Sequence, residues 1–150
     1  MHNWFECKVR YDKTLDTGMI KTVTEPYLVD AFSFTEAEAR IIEEIRPYIT
    51  GEFSIANIKR VKFSDTFFNE TGDRYFKAKL YYITLDEKSG TEKKTAVNML
   101  IQATTINEAL DTVEEEMKKT MIDYSIAGIT ETPIMDVFLY GDDSKTEKTE

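Results

Sequence analysis

A chain of 150 residues, 41% hydrophobic and 31% charged, is long enough to bury a core without disulfides or metals, and no apolar run approaches the ~18 residues a membrane-spanning helix needs. Cys7 is the only cysteine and His2 the only histidine, which excludes an internal disulfide and multi-cysteine metal sites and leaves nucleophilic catalysis no histidine away from the terminus. A formal charge of −9 opposes non-specific attachment to nucleic acid or anionic membrane, which runs on lysine and arginine neutralising phosphates.

The opening MHNWFECKVR has neither a basic n-region nor an apolar h-region, so the expected location is cytoplasmic. Trp4 to Tyr11 alternates, with Phe5, Cys7, Val9 and Tyr11 inward and Trp4, Glu6, Lys8 and Arg10 outward, the pattern of a half-buried strand. Asp16, Thr17 and Gly18 predict a hairpin turn, and the return arm over about Met19 to Ala31 places Val23, Tyr27, Val29 and Ala31 on one face. Pro26 cannot donate to a ladder, so this arm is expected at an edge, or bulged, near it. Ser33-x-x-Glu36 and Thr35-x-x-Glu38 both fit a capping box, and either could start the helix whose stripe is Ala37, Ile41, Ile45 and Tyr48 and which Pro47 closes. A third strand is expected from Phe53 to about Phe63, and a polar connector at Asn69 to Asp73 forms a seam.

After the seam the pattern returns. YFKAKLYY from Tyr75 repeats the parity of WFECKVRY at an offset of 71, with Phe76, Ala78, Leu80 and Tyr82 inward and Tyr75, Lys77, Lys79 and Tyr81 outward. Lys94 to Ala103 answers the return arm, and Thr105-x-x-Glu108 with Ile106, Ala109, Val113 and Met117 answers the helix. YSIAGITETPIMDVF, Tyr124 to Phe138, answers FSIANIKRVKFSDTF, Phe53 to Phe67. Agreement in both spacing and face over three strands and a helix predicts an α+β fold, an internal duplication of a ββαβ unit whose two helices pack on one face of antiparallel sheet. The expected organisation is one pseudo-symmetric domain over 1–140, with repeats at 3–68 and 74–140 and a disordered polar tail at 141–150. Asn57 and Gly128 hold equivalent places and tolerate left-handed backbone, so a bulge or kink is expected there in both third strands.

The residues that carry chemistry are sparse. Cys7 sits on an inward face and reads as a small buried hydrophobe. Zinc lacks its usual ligands, no calcium-loop spacing occurs, and the single glycines make neither a P-loop nor a dinucleotide fingerprint, so no cofactor, metal or catalytic residue is assigned. Asp65 and Asp136 recur at equivalent positions and fit a turn or strand-end role. Non-enzymatic is the expectation.

Charge is distributed unevenly: Glu36 to Arg46 is net −2 and Ile106 to Lys119 net −3, whereas Trp4 to Tyr11 is +1, Tyr75 to Tyr82 is +2 and Asn57 to Phe63 is +3. Acidic helices on one side of a sheet would leave an opposite face carrying Lys8, Arg10, Lys77 and Lys79 beside Trp4, Tyr75 and Tyr81, and these residues together with the basic cluster Lys59, Arg60 and Lys62 are the candidate binding residues. Cations beside aromatics suit a protein partner or a homodimer seam; the alternative is single-stranded nucleic acid, with phosphates paired and bases stacked. The residues following FSIANI, with KRVK, are expected nearer a binding end than those following YSIAGI.

The runs WFECKVRYDKT, VTEPYLVDAFSFTEAEARIIEE and ETPIMDVF resemble the family known as domain of unknown function 4494, over roughly residues 3 to 140. The resemblance carries over no catalytic residue. It implies the setting of gut Bacteroidetes and their phages, and with it an accessory role in a phage or mobile element.

Overall fold

A computed structural model describes residues 3–139, so His2 and the polar tail lie outside the described residues. The fold is α+β, with eight strands in two sheets and two α-helices among those residues. The chain divides into two compact units: residues 3–62 with 133–139, and Phe63–Thr132. The unit boundary at Lys62 falls ahead of the connector at Asn69 to Asp73.

In the first unit β1 (Trp4–Thr14) and β2 (Ile20–Asp30) form a hairpin, and β3 (Phe53–Val61) pairs antiparallel with the other side of β1. Gly18, with φ +87°, makes the hairpin turn, where its N–H donates to the Leu15 carbonyl. Helix α1 (Phe34–Ile45) packs across this sheet, burying Ala37, Ile41 and Ile45 against Phe5, Cys7, Val9, Val29 and Ala31. Fully burying one large side chain of this set contributes about 1.5–3 kcal/mol, so the alternating inward residues dominate the unit's stability. Of the two possible caps, Ser33 is the one used. Its hydroxyl accepts from the Glu36 N–H at 3.1 Å, while Glu36 Oε1 accepts from Phe32 N–H at 2.8 Å. Pro47 lies in a 3-10 turn, Arg46–Tyr48, that ends the helix. Tyr48 does not join the apolar stripe: it is 78% exposed, because the tighter turn rotates it off the helical face.

The second unit repeats the order. β4 (Asp65–Phe67), β5 (Arg74–Leu85), β6 (Glu92–Ala103) and β7 (Asp123–Glu131) form a sheet in the order β4-β6-β5-β7, and α2 (Ile106–Lys118) buries Ala109, Val113 and Met117 against Phe76, Ala78, Leu80, Met99, Ile101 and Ala103. Thr105 caps α2, its hydroxyl accepting from Glu108 N–H at 3.1 Å. Ile106, expected in the stripe, is 48% exposed as the first helical residue, one position short of the buried row.

Two features escape the strand–strand–helix–strand scheme. The third strands are shorter than expected, and the chain after each makes a brief strand in the other unit's sheet. β4, following β3, runs parallel to β6 with Thr66 opposite Leu100 and Phe67 opposite Ile101. β8 (Val137–Phe138), following β7, runs parallel to β2 with Val137 opposite Leu28 and Phe138 opposite Val29. Arg40 of α1 secures the segment after β8, donating to the Leu139 carbonyl at 2.8 Å and to the Asp30 carbonyl. Asp136 takes the strand-end role: its carbonyl accepts from Leu28 N–H and its Oδ1 from Val137 N–H. Pro26 lies just outside the β2–β8 ladder, which pairs only Leu28 and Val29; on that side its carbonyl accepts from Met135 N–H at 2.9 Å, and its missing N–H removes no ladder bond, so a proline is tolerated there.

Both third strands are bulged where expected. Lys8 faces Asn57 and Val9 faces Ile55, leaving Ala56 extra; Lys79 faces Gly128 and Leu80 faces Ile126, leaving Ala127 extra. The device is not a left-handed residue, however, since neither Asn57 nor Gly128 has positive φ. The bulge is absorbed within ordinary backbone by the small alanines that precede them.

Candidate functional site

Each sheet has a face opposite its helix, and strand register lists what that face holds. In the first unit the central row is Trp4, Glu6, Lys8, Arg10 and Asp12. Lys59 lies directly opposite Glu6, Lys8 lies between Asn57 and Pro26, Arg10 lies between Ser54 and Thr24, and Asp12 accepts from the Thr22 hydroxyl at 2.7 Å. Carboxylates at Glu6 and Asp12 therefore bracket the cations Lys8 and Arg10, and the face is not a basic patch. In the second unit the row is Tyr75, Lys77, Lys79, Tyr81 and Ile83, flanked by Gln102, Leu100, Asn98 and Ala96 on β6 and by Thr130, Gly128 and Ser125 on β7. Lys94 adds a further cation opposite Ile83, and Asp123, also opposite Ile83, is the carboxylate at that far end. The Lys79 ammonium lies 5.4 Å from the centroid of the Tyr81 ring, a cation–π contact that orients the pair along the strand.

Several sequence-predicted site residues are not available on the helix-free faces. Trp4 and Tyr75 are only 2% and 3% exposed, so neither presents a ring to a ligand. Parity assigns a side chain to a face but does not say whether that stretch of face is open, and here Leu28 and Leu100, on the same faces, are also fully buried. Each helix-free face thus runs from a buried apolar end to an exposed polar end. Arg60 lies on the helix side of its sheet, opposite Phe5, with its guanidinium 6.0 Å from that ring and 2.9 Å from Asn3 Oδ1. The bulge at Ala56 and the pairing of Arg60 with inward Phe5 set this direction, away from the helix-free face. Lys62 is exposed but follows the last residue of β3, so of the cations in KRVK only Lys59 belongs to the helix-free face. The expectation that the segment after FSIANI marks the binding end is therefore not carried by its side chains. The signal that separates the two faces was present in the sequence: position 6 is Glu and its equivalent, position 77, is Lys.

The titratable groups that depart from ordinary values move toward inertness. Burial, reinforced by the Glu6 charge, pushes the Cys7 thiol up to about 12, and Cys7 is 0% exposed. Burial also pushes the Tyr11 phenol up to about 12, aided by the 2.7 Å hydrogen bond it donates to Glu25 Oε1, and burial does the same for Tyr27. Among the described residues no three or more His, Cys, Asp or Glu side chains are grouped to hold a metal ion, and no helix is long and apolar enough to cross a membrane.

Neither the curated proteins nor the solved structures give a match to the chain. One family model, described as Domain of unknown function (DUF4494), matches residues 3–140, and with every described residue inside that span, the protein belongs to this family.

Proposed function

We propose that the chain is a non-enzymatic interaction module that binds an acidic segment of a partner protein through the helix-free face of its second unit. The observation that carries this reading is the row of exposed Lys77 and Lys79 with half-buried Tyr81 on β5, beside exposed Lys94 on β6, with no carboxylate opposite Lys77, Lys79 or Tyr81 on either neighbouring strand. A row of lysines at ~7 Å intervals along one face meets successive carboxylates of an extended acidic segment, and complementary charge supplies orientation and association rate. The inert thiol and phenols favour binding over catalysis. The setting that accompanies this reading is the one the family resemblance implies, an accessory factor of a phage or mobile element, and the location proposed with it is the cytoplasm.

Single-stranded nucleic acid is the second reading, favoured by the Lys79–Tyr81 pair. It is the weaker one, because stacking platforms use several open rings and Trp4 and Tyr75 are buried. Titration of the protein with labelled octaglutamate and with a twelve-residue oligothymidylate, at about 50 and about 200 mM salt, separates the two. The expected result is tighter binding of octaglutamate, weakened about tenfold or more by Lys77→Glu with Lys79→Glu and unaffected by Lys8→Glu with Arg10→Glu. Tighter binding of oligothymidylate would favour the nucleic-acid reading, and no binding of either would remove this face as the site.

A further inference from the structure

We infer that the free edge of β3 beside α1, in the first unit, is a separate docking site for an extended segment of a partner protein that carries a cation next to an apolar side chain. β3 is the outermost strand of its sheet, and its nine residues contain no proline. Natural sheets guard such edges with charge and with bulges, and β3 is guarded unevenly. Past the bulge at Ala56 come Lys59, Arg60 and then Lys62; before it, Phe53, Ser54 and Ile55 carry no charge at all.

The unguarded half is also where space opens. A groove of about 650 Å³ lies between α1 and this part of β3, with Ile42, Phe53 and Ile55 as apolar lining and Glu38, Arg46 and Glu52 as the charged groups. Phe53 and Ile55 are half-buried, so part of each side chain is available to a guest. A strand added along Gly51 to Ala56 would take the outward backbone groups of β3 and set every second side chain against the groove's apolar lining, the usual geometry of β-augmentation. Two carboxylates against one guanidinium leave the groove net negative, and no ion pair among the described residues occupies Glu38, Arg46 or Glu52. Charge complementarity therefore selects a lysine- or arginine-bearing guest. This is the opposite of the acidic guest expected at β5, so one chain could engage two segments of different charge.

The test uses the isotopically labelled full chain and two capped peptides, acetyl-Thr-Val-Thr-Val-Lys-Val-Thr-amide and the same peptide with Glu in place of Lys. The lysine peptide is expected to shift the backbone amide signals of Phe53 to Ala56 and slow their hydrogen exchange, with the glutamate peptide binding at least about tenfold more weakly. Glu52→Lys, an exposed substitution, should reverse that preference. Equal binding of the two peptides, unchanged signals at Phe53 to Ala56, or shifts confined to β5 would each overturn the inference, and none of these outcomes bears on the octaglutamate result at Lys77 and Lys79.

Discussion

Lys79 and Tyr81, two residues apart on β5 and on the same side of the sheet, form a cation–π pair with the ammonium 5.4 Å from the ring centroid. The pair holds a charge and a ring together at the open end of a face whose other end, at Tyr75 and Leu100, is buried. An exposed contact of this kind contributes about 0.5–1 kcal/mol. A double-mutant cycle in urea, built from Lys79→Met and Tyr81→Leu, should return a coupling energy of that size, and a coupling near zero would show the two side chains to be independent.

Among the described residues, Gly72 is the glycine with the least room for a side chain. A Cβ built there would lie 2.6 Å from both the Cα and the N of Ala103, while the Gly72 carbonyl accepts from Gln102 Nε2 at 2.9 Å. Backbone cannot step aside as a flexible side chain can, so Gly72→Ala should destabilise by about 2 kcal/mol or more. Gly128 provides the contrast, with nothing within 4 Å of its added Cβ and no positive φ. Gly128→Ala should be neutral or stabilising by up to about 1 kcal/mol, through the unfolded chain. Paired chemical denaturation of the two variants checks both signs.

The helix caps make a second paired test. Ser33→Ala and Thr105→Ala each remove a hydroxyl that accepts a first-turn N–H and should cost about 0.5–2 kcal/mol. Thr35→Ala changes an exposed residue inside the first turn of α1 and should fall within about 0.5 kcal/mol of the parent. A larger loss at Thr35 than at Ser33 in thermal melts would contradict the assigned cap.

Stability should fall on the alkaline side. Cys7 moves from 9.0 to about 12, and Tyr11 and Tyr27 from 10.0 to about 12, so the folded chain holds these protons more tightly than the unfolded one. A raised folded pKa gives stability that is present in full below the unfolded value and is lost as pH rises toward the folded value. Urea midpoints should therefore decline progressively between about pH 9 and pH 12. For buried Cys7, at about 1.4 kcal/mol per unit, the loss amounts to a few kcal/mol. Cys7→Ala or Cys7→Val should flatten the early part of that decline, and an unchanged profile in these variants would assign it elsewhere.

The parts of this protein that local chemistry controls were legible in its sequence. Alternation of Phe5, Cys7 and Val9, and of Phe76, Ala78 and Leu80, identified the inward faces because a strand's side chains must alternate whatever surrounds them. The Ser/Thr-x-x-Glu spacing located both helix starts, because a cap is satisfied within four residues. What the sequence left open is whatever depends on distant segments. Two candidate caps, Ser33 and Thr35, fitted the start of α1, and only the folded chain selected Ser33. Trp4 and Tyr75 were placed on the right faces, but their burial depends on which stretch of face is covered. Arg60 counted among the candidate binding residues, but the extra residue at Ala56 and the pairing with β1 turn it to the helix side of its sheet. The two short strands β4 and β8, each parallel to a strand far away in the chain, left no periodicity to read, because two or three residues are too few to show one. Sequence alone determined which residues face a helix; tertiary structure decided which of the remaining faces and edges stay open to a partner, since exposure depends on every segment that packs nearby.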